Sequence, residues 1–262
     1  MKKFHVLTNI EKDPNLTVSK RIRDYLESRN CVCTMQTDFD DANDFPMDSD
    51  CAIVLGGDGT MIQAADYIRG RKPIIGVNLG TLGFLQEVEA AHVEEMLNHL
   101  INDEYRIERR MMLKADNGQI ALNDIVVARK GSLKILYLNI YVNDRMLSNY
   151  KADGIVISTP TGSTAYNLSA GGPIVEPSAE AILLTPICPH NLGARSIVLS
   201  PTDKIRVEVL PGRGDAEATF DGGAEIPLVS GGSIEIMKAD IVTDVIKIGK
   251  ESFIEVLSRK MN

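Results

Sequence analysis

The chain has 262 residues, 44% of them hydrophobic and 24% charged, enough for one large domain or two modest ones with buried cores. Its formal net charge of −8 argues against a nucleic-acid binder, which would present a basic face. No apolar run is long enough to span a membrane, and the four cysteines (Cys31, Cys33, Cys51, Cys188) and four scattered histidines lack metal-ligand or disulfide spacing, which fits a reduced, cytoplasmic chain.

The apolar stretch that begins the chain is too short for a signal peptide and reads as a strand, Phe4 to Thr8. From Thr17 to Ser28, Val18, Ile22, Tyr25 and Leu26 share one helical face. Cys31 to Thr37 reads as a second strand, with Cys31 and Cys33 on the same side, and an acidic, turn-rich loop follows from Asp38 to Asp50. The most informative run comes next. The strand Ala52-Ile53-Val54-Leu55 empties into Gly56-Gly57-Asp58-Gly59-Thr60. Glycine lets a backbone approach a ligand closely, and successive N–H groups there form an anion site. A helix starting at Thr60 would aim its positive end at the same place. Asp58 is then a carboxylate beside phosphates, suited to bind a divalent cation or to accept a proton from an attacking hydroxyl. A tight Asp-Gly hairpin turn competes with this reading. Against it, Met61, Ile62, Ala65 and Ile68 recur with helical spacing. Ile74 to Val77 is a further strand, Gly80 to Leu85 a loop, and Ala91 to Leu100 a helix with Val93, Met96, Leu97 and Leu100 on one side. Strands alternating with helices predict a parallel sheet covered on both faces, with ligands at the carboxyl ends of its strands.

Beyond about Tyr105 strand signals recur with short turns: Ile120 to Ala128, Ile135 to Val142, Gly154 to Ser158, Ser196 to Leu199, Lys204 to Val209, Ala218 to Phe220 and Ser233 to Lys238. The expected organisation is an α/β nucleotide-binding domain over 1–103 and a mostly-β domain over 104–248. A helix from Glu251 to Lys260 packs back on the first domain, so that 249–262 return to it. Two patches of the β half carry polar chemistry. Asn123-Asp124 interrupts an apolar run; adjacent strand residues face opposite ways unless a bulge intervenes. An amide and a carboxylate there could grip a ribose diol, the alternative being a plain turn. Asp153 to Pro173 is dense in hydroxyls and glycines, and Tyr166 offers a flat face for an adenine. A solvent loop is the alternative, but Ala165, Leu168 and Ala170 argue against disorder.

These residues together resemble the NAD kinase family. The likeness covers nearly the whole chain and is carried by Gly56-Gly57-Asp58-Gly59-Thr60, Asn78-Leu79-Gly80-Thr81-Leu82-Gly83-Phe84, Asn123-Asp124, the Asp153–Pro173 run and Pro189-His190. The glycine loop alone also occurs in lipid kinases and resembles one in phosphofructokinases; the combination is specific. The resemblance implies transfer of the γ-phosphoryl group of ATP to the 2′-hydroxyl of the adenosine ribose of NAD, which lies between an N-terminal α/β and a C-terminal β domain. It implies Mg²⁺ bridging the ATP phosphates, without fixed protein ligands, and a phosphate loop of Gly56, Gly57, Gly59 and Thr60, with Thr60 chiefly a helix cap. Asp58 matches the catalytic aspartate and Gly59 its neighbour at the dinucleotide. Asn123 and Asp124 match the ribose pair, and Thr164, Ala165, Tyr166 and Ser169 the base- and nicotinamide-side contacts. Lys134, Lys151, Asp153 and Cys188 fall at further contact positions, in a homodimer or homotetramer where Asp153 reaches the adenine of NAD across the subunit interface. Where many bacterial members carry Gln shortly after an Asp, this chain has Asp221-Gly222-Gly223, so no side-chain contact is expected from that position. Two rival functions share the loop: another small-molecule or lipid kinase, which would need an apolar cavity or membrane face, and a non-catalytic nucleotide sensor.

Overall fold

A computed structural model describes residues 1–37, 44–80, 83–131, 134–191, 193–211, 215–249 and 251–261. Part of the acidic loop (38–43) and Thr81 and Leu82 therefore lie outside the described residues. The chain divides into two compact units, Met1–Arg110 with Val242–Asn262, and Met111–Ile241.

The first unit opens with β1 (Lys3–Thr8), α1 (Thr17–Ser28), β2 (Val32–Gln36), β3 (Cys51–Gly56), α2 (Asp58–Ile68), β4 (Ile74–Asn78), β5 (Val88–Glu89) and α3 (Val93–Ile101). Strands β2, β1, β3 and β4 lie side by side, all parallel. Every residue of β3 and β4 is buried, as expected when helices cover both faces. Cys51, Ile53 and Leu55 point to one face, where Ile22 and Leu26 of α1 and Val93, Met96, Leu97 and Leu100 of α3 close the core. Helix α2 packs on β3 and β4 with Met61, Ala64, Ala65 and Ile68 buried. As the pattern predicts, Cys31, Cys33 and Met35 all turn into that first core.

The chain leaves this unit inside β6 (Arg106–Ala115) and builds β7 (Ile120–Ala121), β8 (Asp124–Arg129), β9 (Leu136–Val142), β10 (Arg145–Ala152), β11 (Gly154–Ser158), the short α4 (Tyr166–Ser169), β12 (Ile182–Ile187), β13 (Ile197–Leu199), β14 (Ile205–Val209), β15 (Ala216–Phe220), β16 (Glu225–Leu228) and β17 (Ser233–Lys247). One antiparallel sheet runs β13-β12-β11-β8-β15-β16; in another, β10, β9, β14 and the start of β17 are neighbours. Alternate residues of both, among them Ile125, Val127, Leu138, Ile140, Ile155, Ile157, Val207 and Phe220, share one core. The continuous strand expected over Ile120–Ala128 is broken at Leu122 and Asn123, which lie outside both β7 and β8. The end of β17 returns to the first unit beside β4 (Val245 opposite Ile74), and α5 (Phe253–Met261) follows. Lys260 Nζ sits 4.1 Å from the centre of the Phe84 ring, so the terminal helix does pack back on the first unit.

Candidate active site

The glycine loop joins β3 to α2. The helix starts at Asp58, two residues before the expected Thr60, because extended Gly57 (φ −114°, ψ −171°) is already its N-cap. Thr60 is the third residue of the first turn and reaches back: its buried Oγ1 accepts from Gly57 N at 3.4 Å and from Asn9 Nδ2 at 3.2 Å. It thus caps the helix, as expected, and faces the fold. A Cβ on Gly56 would lie 2.2 Å from Thr60 Oγ1, so glycine there is a packing requirement. A Cβ on Gly59 would meet no heavy atom within 4 Å, so nothing in the fold demands that glycine.

Asp58 is held from the opposite side. Its Oδ2 accepts the backbone N–H of Phe84 and its Oδ1 that of Leu85, both at 2.9 Å. The loop that supplies them is tied down in turn: Asn78 bonds Gly80 through both amide atoms (2.8 and 3.1 Å), and Leu79 N donates to Gly56 O at 3.1 Å. Gly83 leaves the room, because a Cβ there would stand 2.0 Å from Asp58 Oδ1. The result is one fixed carboxylate at the positive end of an 11-residue helix. Next to it Gln86 is buried with neither amide atom hydrogen-bonded among the described residues. A cavity of about 430 Å³ is lined by polar and apolar side chains alike, among them Gln86, Glu87 and Lys247 beside Phe84, Met96 and Val256. One cation at the loop escaped the sequence reading: a Cβ on Gly57 would lie 2.7 Å, and one on Gly80 3.6 Å, from the ammonium of Lys12. Isolated between Glu11 and Asp13, it carries no pattern signal.

In the second unit Asn123, Asp124, Ala165 and Tyr166 line one cavity of about 330 Å³ together with Val126, Thr219, Asp221 and Gly222. Tyr166 is 45% exposed, and Asp124 only 5%. Burial first, and then the charge of Asp221, push the Asp124 carboxyl up to about 7. The turn at 122–124 is fully bonded. Leu122, Asn123 and Asp124 donate their backbone N–H groups to the Asp221 carboxylate at 2.7, 2.7 and 3.0 Å. The Leu122 carbonyl accepts from Thr159 Oγ1 at 2.6 Å, that of Asn123 from Thr159 N at 2.8 Å, and that of Asp124 from Asp221 N at 3.0 Å. Asp221 opens a turn, with Gly222 at φ 70° after it. Its Asp-Gly-Gly run gave no hint that a turn 97 residues away in sequence would dock on its carboxylate.

The Asp153–Pro173 run is more structural than its composition suggests. Ser158, Thr159, Thr161 and Ser163 are buried. Ser163 Oγ donates to Val175 O at 3.1 Å, and Asn167 is fully buried between Ser163, Pro173 and Thr185. A Cβ on Gly162 would press to 2.2 Å from the Asn123 carbonyl, so this glycine permits the close approach of the run to the 122–124 turn. The remaining expected contacts do not line the Asn123–Tyr166 cavity. Thr164 is half-buried, while Lys134, Ser169 and Cys188 are exposed. Lys151 lies over the Tyr137 ring at 5.2 Å. Asp153, expected to face a neighbouring chain, pairs within its own: its Oδ1 is 3.0 Å from Arg129 Nε.

Comparison with known proteins agrees with this layout. Residues 36–105 match the ATP-NAD kinase N-terminal domain and residues 122–248 the ATP-NAD kinase C-terminal domain. The chain is 42% identical over 280 residues to the NAD kinase of Agathobacter rectalis, covering 100% of this chain and 99% of that one. It is 39% identical over 293 residues to the NAD kinase of Lachnospira eligens, with 100% of both covered. The fold is similar to an NAD kinase from Archaeoglobus fulgidus crystallised in complex with ATP, with a TM-score of 0.85 at 25% identity and 98% of each chain covered. Yeast NADH kinase, complexed with NADH, shares the fold (TM-score 0.79, 24% identity, 100% of this chain and 87% of that one).

Proposed function

The chain belongs to the NAD kinase family of phosphotransferases, and on that premise we propose how its own residues move the γ-phosphoryl group of ATP to the 2′-hydroxyl of the adenosine ribose of NAD. The glycine loop and the head of α2 receive the phosphates, Gly59 giving the nucleotide its closest approach to backbone. Lys12 adds a movable positive charge. A divalent cation such as Mg²⁺, entering with ATP and without fixed protein ligands, would supply charge neutralisation at the phosphates. Asp58 accepts the proton of the 2′-hydroxyl as the ribose oxygen bonds to the γ-phosphorus and the bridging oxygen leaves with ADP. Two backbone amides fix Asp58 and leave further lone pairs of each oxygen for the hydroxyl. Asn123 and Asp124 grip a ribose diol of NAD, and Tyr166 stacks on a base. Thr164, Ala165 and Ser169 complete the base and nicotinamide side, with Lys134, Lys151 and Cys188 as outer contacts.

We further propose a cytoplasmic homodimer or homotetramer. Asp153 meets the adenine of a neighbour's NAD there with Oδ2, since Oδ1 serves Arg129. No helix among the described residues is long and apolar enough to cross a membrane.

The observation that carries the mechanism is Asp58, pinned by two amides at the head of α2. Purified protein given ATP, Mg²⁺ and NAD should form NADP in a coupled dehydrogenase assay. Asp58→Asn should remain folded and bind NADP while losing about 10²–10⁴-fold in rate, the usual worth of a general base. A variant that keeps more than about a tenth of the rate removes Asp58 from that role.

A further inference from the structure

The six backbone polar groups of Leu122, Asn123 and Asp124 are all committed: three N–H groups to the Asp221 carboxylate, and three carbonyls to Thr159 and Asp221. Their two polar side chains are not. Neither the Asn123 amide nor the Asp124 carboxylate is hydrogen-bonded among the described residues, and both line the cavity that holds Tyr166. Three consecutive N–H groups turned toward one carboxylate form an anion nest whose anion is part of the chain. With Asp221 in it, the break between β7 and β8 has one shape, and Asn123 and Asp124 lose the strand alternation that would point them to opposite faces.

On the footing that Asn123 and Asp124 grip the ribose as proposed above, we propose that Asp221 is a positioning residue of the NAD site: its carboxylate anchors the backbone that presents both side chains to the diol, and its charge acts on Asp124 through the same turn. Asp221 itself sits on a left-handed backbone (φ 52°) followed by Gly222 (φ 70°), the bend that lets its side chain and its own N–H clasp the same turn.

The charge gives a signature that scaffolding alone would not. Asp124 lies opposite Ser158 in the ladder from β11 and shares its cavity with Thr219 of β15 and Tyr166 of α4; of the residues lining the cavity only Asp221 and Asp124 carry a full charge. Burial and Asp221 hold the Asp124 carboxyl up to about 7, and the ionised form accepts hydroxyl protons from a diol. NAD binding should therefore strengthen as pH rises through about 7. Removing the Asp221 charge lets Asp124 ionise at lower pH, so the midpoint of that rise moves in the acid direction, by about one unit for a neighbouring like charge.

The test is calorimetric binding of NAD, without ATP, from pH 5.5 to 8.5 in wild type, Asp221→Asn, Asp221→Ala and Asp124→Asn, with melting curves to confirm folding. Asn keeps the volume and one acceptor oxygen, so this variant stays informative if Ala does not fold. Support is an acid-shifted midpoint in Asp221→Asn, NAD affinity about tenfold weaker in Asp221→Ala, and loss of the transition in Asp124→Asn. An unmoved midpoint in Asp221→Asn, with the transition gone in Asp124→Asn, overturns the role of Asp221 and leaves the ribose grip standing. Full NAD affinity and an intact transition in Asp124→Asn overturn the grip, and the role of Asp221 with it.

Discussion

Gly83→Ala is expected to move Asp58 without altering its chemistry. The added Cβ would stand 2.0 Å from Asp58 Oδ1, 2.5 Å from its Cγ and 2.0 Å from Gln86 Oε1, where real Cβ contacts essentially never fall below 3.0 Å. The carboxylate must therefore retreat by about 1 Å, and it loses alignment with the Phe84 and Leu85 amides as it goes. Misplacing a catalytic group by about 1 Å costs on the order of 10²-fold in rate, or about 2.7 kcal/mol of transition-state stabilisation. The assay is kcat with saturating ATP, Mg²⁺ and NAD, alongside a melting curve. Gly59→Ala is the matched comparison: its Cβ meets nothing within 4 Å, so any activity lost there reports the nearness of a ligand and not strain in the fold. A folded Gly83→Ala protein with more than about a tenth of wild-type kcat would refute the view that the 83–85 backbone sets the position of Asp58.

Tyr166→Ala should raise KM for NAD about five- to 150-fold, from a stacking loss of roughly 1–3 kcal/mol, with kcat at saturating NAD nearly kept; an unchanged KM beside a collapsed kcat would contradict stacking. Lys12→Ala should raise KM for ATP about tenfold and leave KM for NAD close to wild type, as steady-state kinetics with each substrate varied in turn would show; equal effects on both would take Lys12 away from the ATP phosphates. Thr159→Val strips a fully buried hydroxyl that donates to Leu122 O at 2.6 Å and accepts from Gly162 N at 3.1 Å. It should cost about 1–3 kcal/mol in urea unfolding, and a midpoint equal to wild type would show that these bonds add nothing net.

Alternation of strands and helices was readable from residues because both faces of β1, β3 and β4 are covered, which makes those strands buried almost throughout and mostly apolar. Several strands of the second unit were hidden for local reasons. Strand β6 begins with four charged residues among its first five, and β10 lies at a sheet edge with only Tyr150 and Ala152 buried. Strand β12 carries Pro186, which the ladder tolerates because pairing with β13 ends at Leu184. At the site, contiguous motifs were legible and distant clasps were not. The glycine loop announces itself by composition, whereas Asp221 acts on residues 122–124 and Lys12 on a loop more than forty residues ahead, relations set by topology. The hydroxyls of the Asp153–Pro173 run misled in the other direction: Ser158, Thr159 and Ser163 hold the run in place from inside.

The first unit is not contiguous in the chain, and this bears on the order in which the protein is made. Its core needs Ile246, fully buried with Ile53 and Val77, and Glu87 waits for the Ile248 and Gly249 amides and the Lys247 ammonium. All four arrive only with the final stretch of the chain. The second unit is one uninterrupted segment, complete when Ile241 has emerged. Synthesis thus reverses the usual N-terminal-first sequence of domain folding. During translation the first unit stays short of its last strand until after the second unit can close, and a nascent chain cut before Val242 would carry the second unit complete and the first unfinished.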